Sequence, residues 1–435
     1  MGIRDIIVLT LIAASLPFCF LRPFFGILMW TFVSFLNPQA FTFGAAAQSP
    51  VAMAIAIPTL AGFLVFSPSW KGAFSRETLL LFVLWLWFTF TTVHNTQMTE
   101  FSYFAGDTWH RWQFVSKILL MTVVTTLVVN SWERLRWVLL VITGSFAVLV
   151  LKAVPFMILT GGSFRLYGPR GTMLADNNDL GLALNMTLPM FYFLARTESN
   201  RWIKRFMRFM IVATIPAIFF TYSRGALIGL AVVLLLMVLI SRQRLIMIPV
   251  LIVAACFAVF LTPEKWQHRM DFSREGALID DSALSRFNAW RYSWNLALDY
   301  PLTGGGFEAF TPELFDRYAP NARDVHGPHS IYFGVLAEHG FIGLFLYLLL
   351  VFSCFTTLRQ IRRRARRAED RRATAYATML QFSLIGFLTC GAFLGRAYFD
   401  YYFTLVACVL ILKRVWQYDC AESAPEEFVL QEQMA

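Results

Sequence analysis

Long apolar runs constrain this chain more than any other feature of its sequence. Trp137–Ile158, Leu245–Leu261 and Gly340–Leu358 are examples, and each holds at most one charged residue. A membrane-spanning helix needs about 20 mostly apolar residues. Hydrophobic residues make up 57% of the chain and charged residues only 15%, whereas about a quarter of the residues in soluble domains are charged. The sequence therefore predicts an all-α polytopic membrane protein.

The basic run Arg359–Arg372 fixes the expected direction of each crossing. Dense Lys and Arg favour the cytoplasmic side, so the apolar runs on either side of it are assigned alternating directions, giving about twelve transmembrane helices. Ile6–Leu36 is expected to make one net crossing, kinked near Pro23, which removes a helix hydrogen bond. Both termini are then predicted to be cytoplasmic. The histidines all fall at or near the outer side: His94, His110, His268, His326, His329 and His339.

This topology divides the chain into four predicted parts. Residues 1–262 form the N-terminal part of the helical bundle, and residues 263–335 form a large external helical segment between two late helices. Residues 336–415 form the C-terminal membrane helices, and residues 416–435 a cytoplasmic tail. Within the external segment, Leu284–Tyr300 has its large apolar side chains at helical spacing. Pro301 and the glycines at 304–306 are expected to end that helix.

The formal net charge of +10 fits positive-inside bias better than nucleic-acid binding, because much of the excess lies in short loops. Five of the six cysteines fall in apolar runs and the sixth, Cys420, lies in the C-terminal tail. The sequence thus predicts no nucleic-acid partner, no disulfide framework and no thiolate metal site.

Four arginines stand out at or near the expected outer face. An arginine near hydrocarbon is costly without a partner, and a guanidinium group suits two-point contact with phosphate. These arginines could converge on a diphosphate, or instead lie at the interface or pair with Asp176, Asp179 or Glu308. Arg224 favours the first interpretation, since it opens a helix whose N–H groups attract anions. The four are Arg165, Arg170, Arg224 and Arg286.

His329 is the candidate general base. Imidazole titrates near neutrality and can accept a proton from a sugar hydroxyl, although a histidine near a helix end often has a structural role. His326 and His329 with His339 or Asp324 could in principle bind zinc. The zinc-protease pattern and cysteine ligands are absent, and Pro328 interrupts any helical ligand pair. We therefore predict no metal and no cofactor.

Four short motifs follow one another between Arg165 and Gly343. They are Arg165-x-x-Gly168 followed by Asn177-Asn178; Thr221-Tyr222-Ser223-Arg224-Gly225; Arg286-x-x-x-Trp290 with Pro301 and Gly304–Gly306; and His329-Ser330, nine residues, then Gly340-Phe341-Ile342-Gly343. Together they resemble the O-antigen ligase and polymerase superfamily of bacterial envelope glycosyltransferases. Residues 1–110 resemble a subgroup of O-glycosylation ligases associated with exosortase systems.

The resemblance implies an O-antigen ligase, a metal-independent inverting glycosyltransferase. It would move O-antigen glycan from undecaprenyl diphosphate to lipid A–core at the periplasmic face of the bacterial inner membrane, in contact with membrane lipids. His329, Arg224 and Arg286 would be catalytic, with His329 acting as base on the acceptor hydroxyl or helping to orient the diphosphate. Arg165, Arg170 and His326, with Arg224 and Arg286, would bind the diphosphate. An O-antigen polymerase, a protein O-oligosaccharyltransferase and, in another class, a polysaccharide or lipid transporter or flippase remain as alternatives.

Overall fold

A computed structural model describes residues 2–66, 74–240 and 281–422. Over these ranges the chain is helical and contains no strand. The α-helices are α1 Ile3–Leu21, α2 Pro23–Leu36, α3 Val51–Phe66, α4 Arg76–Gln97, α5 Ala105–Val128, α6 Trp132–Leu159, α7 Asn177–Thr197, α8 Arg201–Phe219, α9 Arg224–Ile240, α10 Asp281–Asp299, α11 Pro312–Tyr318, α12 Ile331–Arg367, α13 Arg371–Gly391 and α14 Asp400–Glu422.

Six of the described helices are long and apolar enough to cross a membrane: α1, α4, α5, α6, α12 and α13. Three shorter apolar helices accompany them, α2, α3 and α9. The chain is therefore a multi-pass membrane protein, as its hydropathy predicts. The count of about twelve crossings stays a prediction, and the expected span Leu245–Leu261 lies outside the described residues.

Several helices begin at a polar residue whose side chain caps the first turn. Ser75, Ser131 and Asp176 each accept a hydrogen bond from a backbone N–H two or three residues ahead. Asn200 and Asp370 do the same for α8 and α13. Because the first N–H groups of a helix lack internal partners, these caps set where the apolar runs become helical.

Helix α13 lies at the centre of the bundle and packs against α7, α9, α12 and α14. Small residues allow the close approach. A Cβ atom at Gly386 would lie 3.1 Å from the Asn185 carbonyl oxygen, and one at Gly229 would collide with the Cys390 sulfur. The amide of Asn185 donates to the carbonyl oxygens of Gly181 and Ala226, both at 2.9 Å. The chain that follows α13 is thus held in a fixed place at one end of the bundle.

Helices α4 and α12 run antiparallel and define the two ends of the bundle. At one end, hereafter the His329 end, Asn95 of α4 donates to the Gly304 carbonyl oxygen at 3.2 Å. At the other, hereafter the basic end, the buried Glu77 carboxylate accepts from Thr357 at 2.7 Å and from Lys413 at 2.9 Å. The predicted external residues thus lie opposite the basic run that follows Thr357.

The N-terminal helices differ from the prediction. Helices α1 and α2 form an antiparallel pair, because the Ala46 N–H donates to the Asp5 carboxylate at 3.1 Å. Helix α2 runs parallel to α6: the Arg134 guanidinium lies 5.1 Å from the Phe24 ring centroid, near the basic end. Helix α1 therefore starts at the His329 end, while α14 ends at the basic end.

The expectation of one net crossing by Ile6–Leu36, with both termini on one side, is therefore wrong. The chain reverses at Arg22, which separates α1 from Pro23 at the first position of α2. Proline favours such a helix start and cannot continue the preceding helix. At the other terminus, α14 continues through residues 416–422, which the sequence assigned to a tail.

Helix α12 is interrupted at Gly340, whose backbone has φ 66° and ψ −170°. The Phe341 N–H donates to the Pro301 carbonyl at 2.8 Å instead of to Ala337 one turn back. The freed carbonyls of Ala337 and Glu338 accept from the N–H groups of Gly305 and Gly306 at 2.8 and 2.9 Å. The glycine loop after α10 is therefore hydrogen-bonded to α12 at its interruption.

Replacing Gly340 by alanine should destabilise the protein. A Cβ atom there would lie 2.5 Å from the Leu302 carbonyl oxygen, in a backbone conformation that side chains rarely adopt. Such strain costs about 1–3 kcal/mol, so the midpoint of thermal unfolding in detergent should fall. Gly144→Ala in α6 is the matched control, because nothing lies within 4 Å of its Cβ position. An unchanged midpoint for Gly340→Ala would contradict the proposed strain.

Candidate functional site

The segment before α12 is held by one face of α10. The Asn288 amide donates to the carbonyls of Asn321 and Asp324 at 2.9 and 3.1 Å. The indole of Trp290 donates to the Pro328 carbonyl at 2.7 Å, and its ring stacks on Phe333 with a centroid distance of 5.1 Å. Trp290 thus fixes the residue immediately before His329.

Arg286 lies one turn before Trp290 on the same helix face, so its charge acts on His329. His329 is an exposed residue, but desolvation by the protein atoms around its imidazole lowers the pKa of His329 below its ordinary value. The positive charges of Arg286 and His326 lower this pKa further. At neutral pH the imidazole is therefore mostly uncharged and able to accept a proton. His329 also has a left-handed backbone, with φ 43°. The Arg-x3-Trp spacing contributes to this arrangement, since its tryptophan fixes the residue before the histidine and its arginine adds to the lowering of the histidine pKa.

The loop at residues 392–399, after the central helix α13, lies behind His329. A Cβ atom at Gly395 would lie 3.6 Å from the His329 backbone nitrogen. The next residue, Arg396, forms an ion pair of 2.5 Å with the largely buried Asp179 in the first turn of α7. The charges of Arg396 and of Asp176 both reach His329. Arg396 therefore adds a cation to the site.

The turn that precedes α9 joins the same region. The Leu166 N–H donates to the Phe220 carbonyl at 2.9 Å, and the Asn177 amide donates to the Thr221 carbonyl at 2.7 Å. Arg224 opens α9 directly after this turn. A Cβ atom at the neighbouring Gly225 would lie 3.1 Å from the Phe393 Cβ. Arg224 and His329 therefore flank one loop, residues 392–399.

Arg165 and Arg170 share the loop that contacts this turn. The Tyr222 hydroxyl donates to the Gly162 carbonyl at 2.5 Å. Burial raises the pKa of the Tyr222 phenol, while the nearby charge of Arg165 lowers it. Arg170 has an exposed side chain, and within the described ranges no hydrogen bond or ion pair joins it to the other candidate residues. Arg165 is thus beside the turn that carries Arg224, whereas Arg170 is not brought into contact with the group.

The carboxylates considered as alternative partners for these arginines are engaged elsewhere. Asp179 pairs with Arg396, as described above, and Glu308 lies 3.5 Å from Arg111 of α5. Asp176 caps α7 by accepting from the Asn178 N–H at 2.8 Å. Pairing of the candidate arginines with Asp179 or Glu308 is therefore not the arrangement that the structure shows.

The histidines considered for zinc lie in different environments. His326 is exposed and pairs with Asp324 at 2.9 Å. His339 is buried in the core, where its Nδ1 lies 2.8 Å from the Thr91 hydroxyl and its ring stacks on Phe88 at 4.2 Å. Residues 2–66, 74–240 and 281–422 contain no group of three His, Cys, Asp or Glu side chains placed to hold a metal ion. Metal independence stays a prediction.

Glu338 connects the parts of the site and was not identified from the sequence. Its carboxylate accepts from the Glu308 N–H at 3.1 Å and from the Tyr398 hydroxyl at 2.6 Å. It thereby joins the chain between α10 and α11, which contains Glu308, to the loop at residues 392–399. An acidic residue inside an apolar helix is itself a signal of such a role, and the same reasoning applies to Arg396 between two apolar runs.

The pKa of His329 tests this geometry directly. Arg286→Gln removes a nearby positive charge and should raise the pKa of His329 towards the ordinary value of about 6.5. Titration of ¹⁵N-histidine signals in the full-length protein measures it, with His329→Ala assigning the resonance. Arg323→Gln, an exposed arginine of the same segment, is the control and should leave the pKa unchanged. Equal values for the wild type and Arg286→Gln would show that the two side chains do not face each other.

Comparison with known families agrees with this architecture. Residues 209–348 match the family model described as O-Antigen ligase, and residues 3–199 match a family of unknown function, DUF5935. No curated protein matches the chain. The first match spans Arg224, Arg286 and His329 together with the interruption of α12. The chain is a multi-pass membrane protein whose residues 209–348 match the O-antigen ligase family.

Proposed function

We propose that the protein is an O-antigen ligase, a glycosyltransferase that uses a lipid-diphosphate-linked glycan. It transfers O-antigen glycan from undecaprenyl diphosphate to lipid A–core at the periplasmic face of the bacterial inner membrane. The observation that carries the proposal is the position of His329, which lies beside the helix face that bears Arg286 and Trp290 and shares the loop at residues 392–399 with the turn that bears Arg224. One base and several guanidinium groups at one end of a membrane bundle suit transfer from a lipid diphosphate.

The arginines bind the donor and stabilise the leaving group. Arg224 offers a guanidinium at the start of α9, where backbone N–H groups add to its attraction for anions. Arg286 approaches from α10, and Arg165 and His326 contribute from the flanking loop and segment. As the glycosidic bond breaks, negative charge grows on the diphosphate, and prepositioned cations stabilise that charge. Arg170, exposed in the same loop as Arg165, contacts the outer side of the diphosphate.

His329 acts on the acceptor. Because its imidazole is neutral at pH 7, it can take the proton of the attacking sugar hydroxyl. The acceptor oxygen forms a bond to the anomeric carbon while the bond from that carbon to the diphosphate oxygen breaks. Undecaprenyl diphosphate leaves with the bonding electrons, and in-line attack inverts the anomeric centre.

The orientation of the bundle supports a periplasmic site. The arginines at the end of α12 lie at the opposite end from His329, and clusters of basic residues favour the cytoplasm. The His329 end then faces the periplasm. There it meets the carrier lipid in the outer leaflet, and membrane lipids surround the apolar helices.

Arg224→Ala and His329→Ala should each abolish ligation. Loss of one prepositioned donor of this kind costs about 10²–10³ in rate, and loss of the base removes the route for the acceptor proton. The measurement is transfer of lipid-linked O-antigen to lipid A–core by purified protein, together with the smooth lipopolysaccharide ladder in cells. Arg205→Ala at the cytoplasmic start of α8 is the control.

Normal ladders in both variants, at equal protein levels in the membrane, would reject the assigned roles. If the wild type instead lengthens free glycan or modifies a protein hydroxyl while lipid A–core stays unmodified, the protein is a polymerase or a protein O-oligosaccharyltransferase. Continued carrier flipping in a deletion strain whose glycan no longer joins its acceptor would exclude the transporter alternative.

A further inference from the structure

A cavity of about 270 Å³ opens at the His329 end, beside the candidate site. Apolar side chains form its body, while Lys152 and Arg165 supply two cations. Ligand pockets for whole drug-sized molecules enclose about 300–1,000 Å³, so this one fits only the end of a larger molecule. Its walls include Phe41, Lys152, Phe156, Arg165, Tyr167 and Leu180.

Lys152 is unusual because it is the only charged residue of α6 after Arg136. Helix α6 has 28 residues, about 42 Å at 1.5 Å per residue, and is among the candidate spans. Lys152 precedes its end by seven residues, roughly 10 Å, which places the ammonium near the outer interface. A lysine in such a helix is costly and marks a functional position by default.

Within the described residues, Lys152 contacts an aromatic ring and not a carboxylate. Its ammonium lies 4.3 Å from the centroid of Phe41, in the short 3₁₀ helix Pro38–Phe41. Within the described part of the chain, no carboxylate forms an ion pair with Lys152 or with Arg165. Two cations at the rim of an apolar cavity, near the interface, match an anionic group attached to a hydrocarbon chain.

The charge of the cavity selects among such groups. A phosphate monoester carries about −1.5 to −2 at pH 7, which two cations balance, whereas a phosphodiester carries a single negative charge. The terminal phosphate also presents three oxygens, so an ammonium and a guanidinium can bind it together. The glycan-bearing donor has its diphosphate blocked at both ends. A lipid with a free terminal phosphate therefore fits best.

We propose that this cavity binds the phosphate end of a lipid that terminates in a phosphate or diphosphate group. The phosphate lies between Lys152 and Arg165, and the first carbons of the chain pack against Phe156 and Leu180. The bound lipid is the released carrier, after its glycan has left. This identification alone rests on the proposed function, which it deepens. Arg165, beside the turn that bears Arg224, then belongs to both positions.

The test measures binding of tritiated undecaprenyl phosphate to the full-length protein in detergent, in an Arg224→Ala background that weakens binding at the transfer site. Lys152→Met should weaken the remaining binding about tenfold, as loss of one charged contact does. Ala153→Phe should weaken binding by filling the cavity, since Ala153 lines it. Lys152→Arg should restore binding, and Lys117→Met, at an exposed lysine of α5, should leave it unchanged.

Competitors separate the possible sources of the phosphate. Dioleoyl phosphatidic acid should compete and dioleoyl phosphatidylglycerol should not, because only the first has a terminal phosphate. Stronger binding of undecaprenyl phosphate than of phosphatidic acid identifies the carrier. Unchanged binding in both Lys152→Met and Ala153→Phe, or equal competition by phosphatidylglycerol, overturns the proposal. Cavity binding in a protein that never ligates lipid A–core would support this site and reject the proposed function, so the two failures are distinct.

Discussion

The exchange of backbone hydrogen bonds at Gly340 is the constraint on which the site depends. In a membrane, an unpaired carbonyl has no water to bind and is costly. The interruption of α12 frees the carbonyls of Ala337, Glu338 and His339, which accept from Gly305, Gly306 and the Trp87 indole. Neither the glycine loop nor the interrupted helix satisfies its backbone without the other. Gly340 and the glycines at 304–306 therefore act structurally, by holding the segment that contains α10 and α11 against the bundle.

These hydrogen bonds bring elements from distant parts of the chain together around His329. Helix α10 brings Arg286 and fixes Pro328 through Trp290, while the loop after α13 brings Arg396, held by Asp179. Glu338 joins that loop to the external segment. Cations around an imidazole disfavour its protonated form. In the proposed mechanism, the residues that attract the diphosphate would also keep the base neutral, so one electrostatic arrangement would serve both donor and acceptor.

Prediction from the sequence succeeded where the signal was local. Helical periodicity predicted α10 and its end. Arg224, Arg286 and His329, which the motifs singled out, lie on elements that meet at one end of the bundle, and their roles stay predictions. Hydropathy could not show the reversal at Arg22, because an apolar run looks the same straight or folded back. Arg396, Glu338 and Lys152 were missed because their partners, Asp179, Tyr398 and Phe41, lie far away along the chain. Only the packing of helices brings these pairs together.

The most direct test of the account is a cryo-electron microscopy structure of the protein in nanodiscs with the glycan-bearing donor, undecaprenyl diphosphate linked to O-antigen. The account predicts diphosphate oxygens within about 3 Å of the guanidinium groups of Arg224 and Arg286, with the His329 imidazole facing the open side where an acceptor would enter. Density for the diphosphate at the basic end of the bundle, or at the His329 end but away from both guanidinium groups, would contradict it.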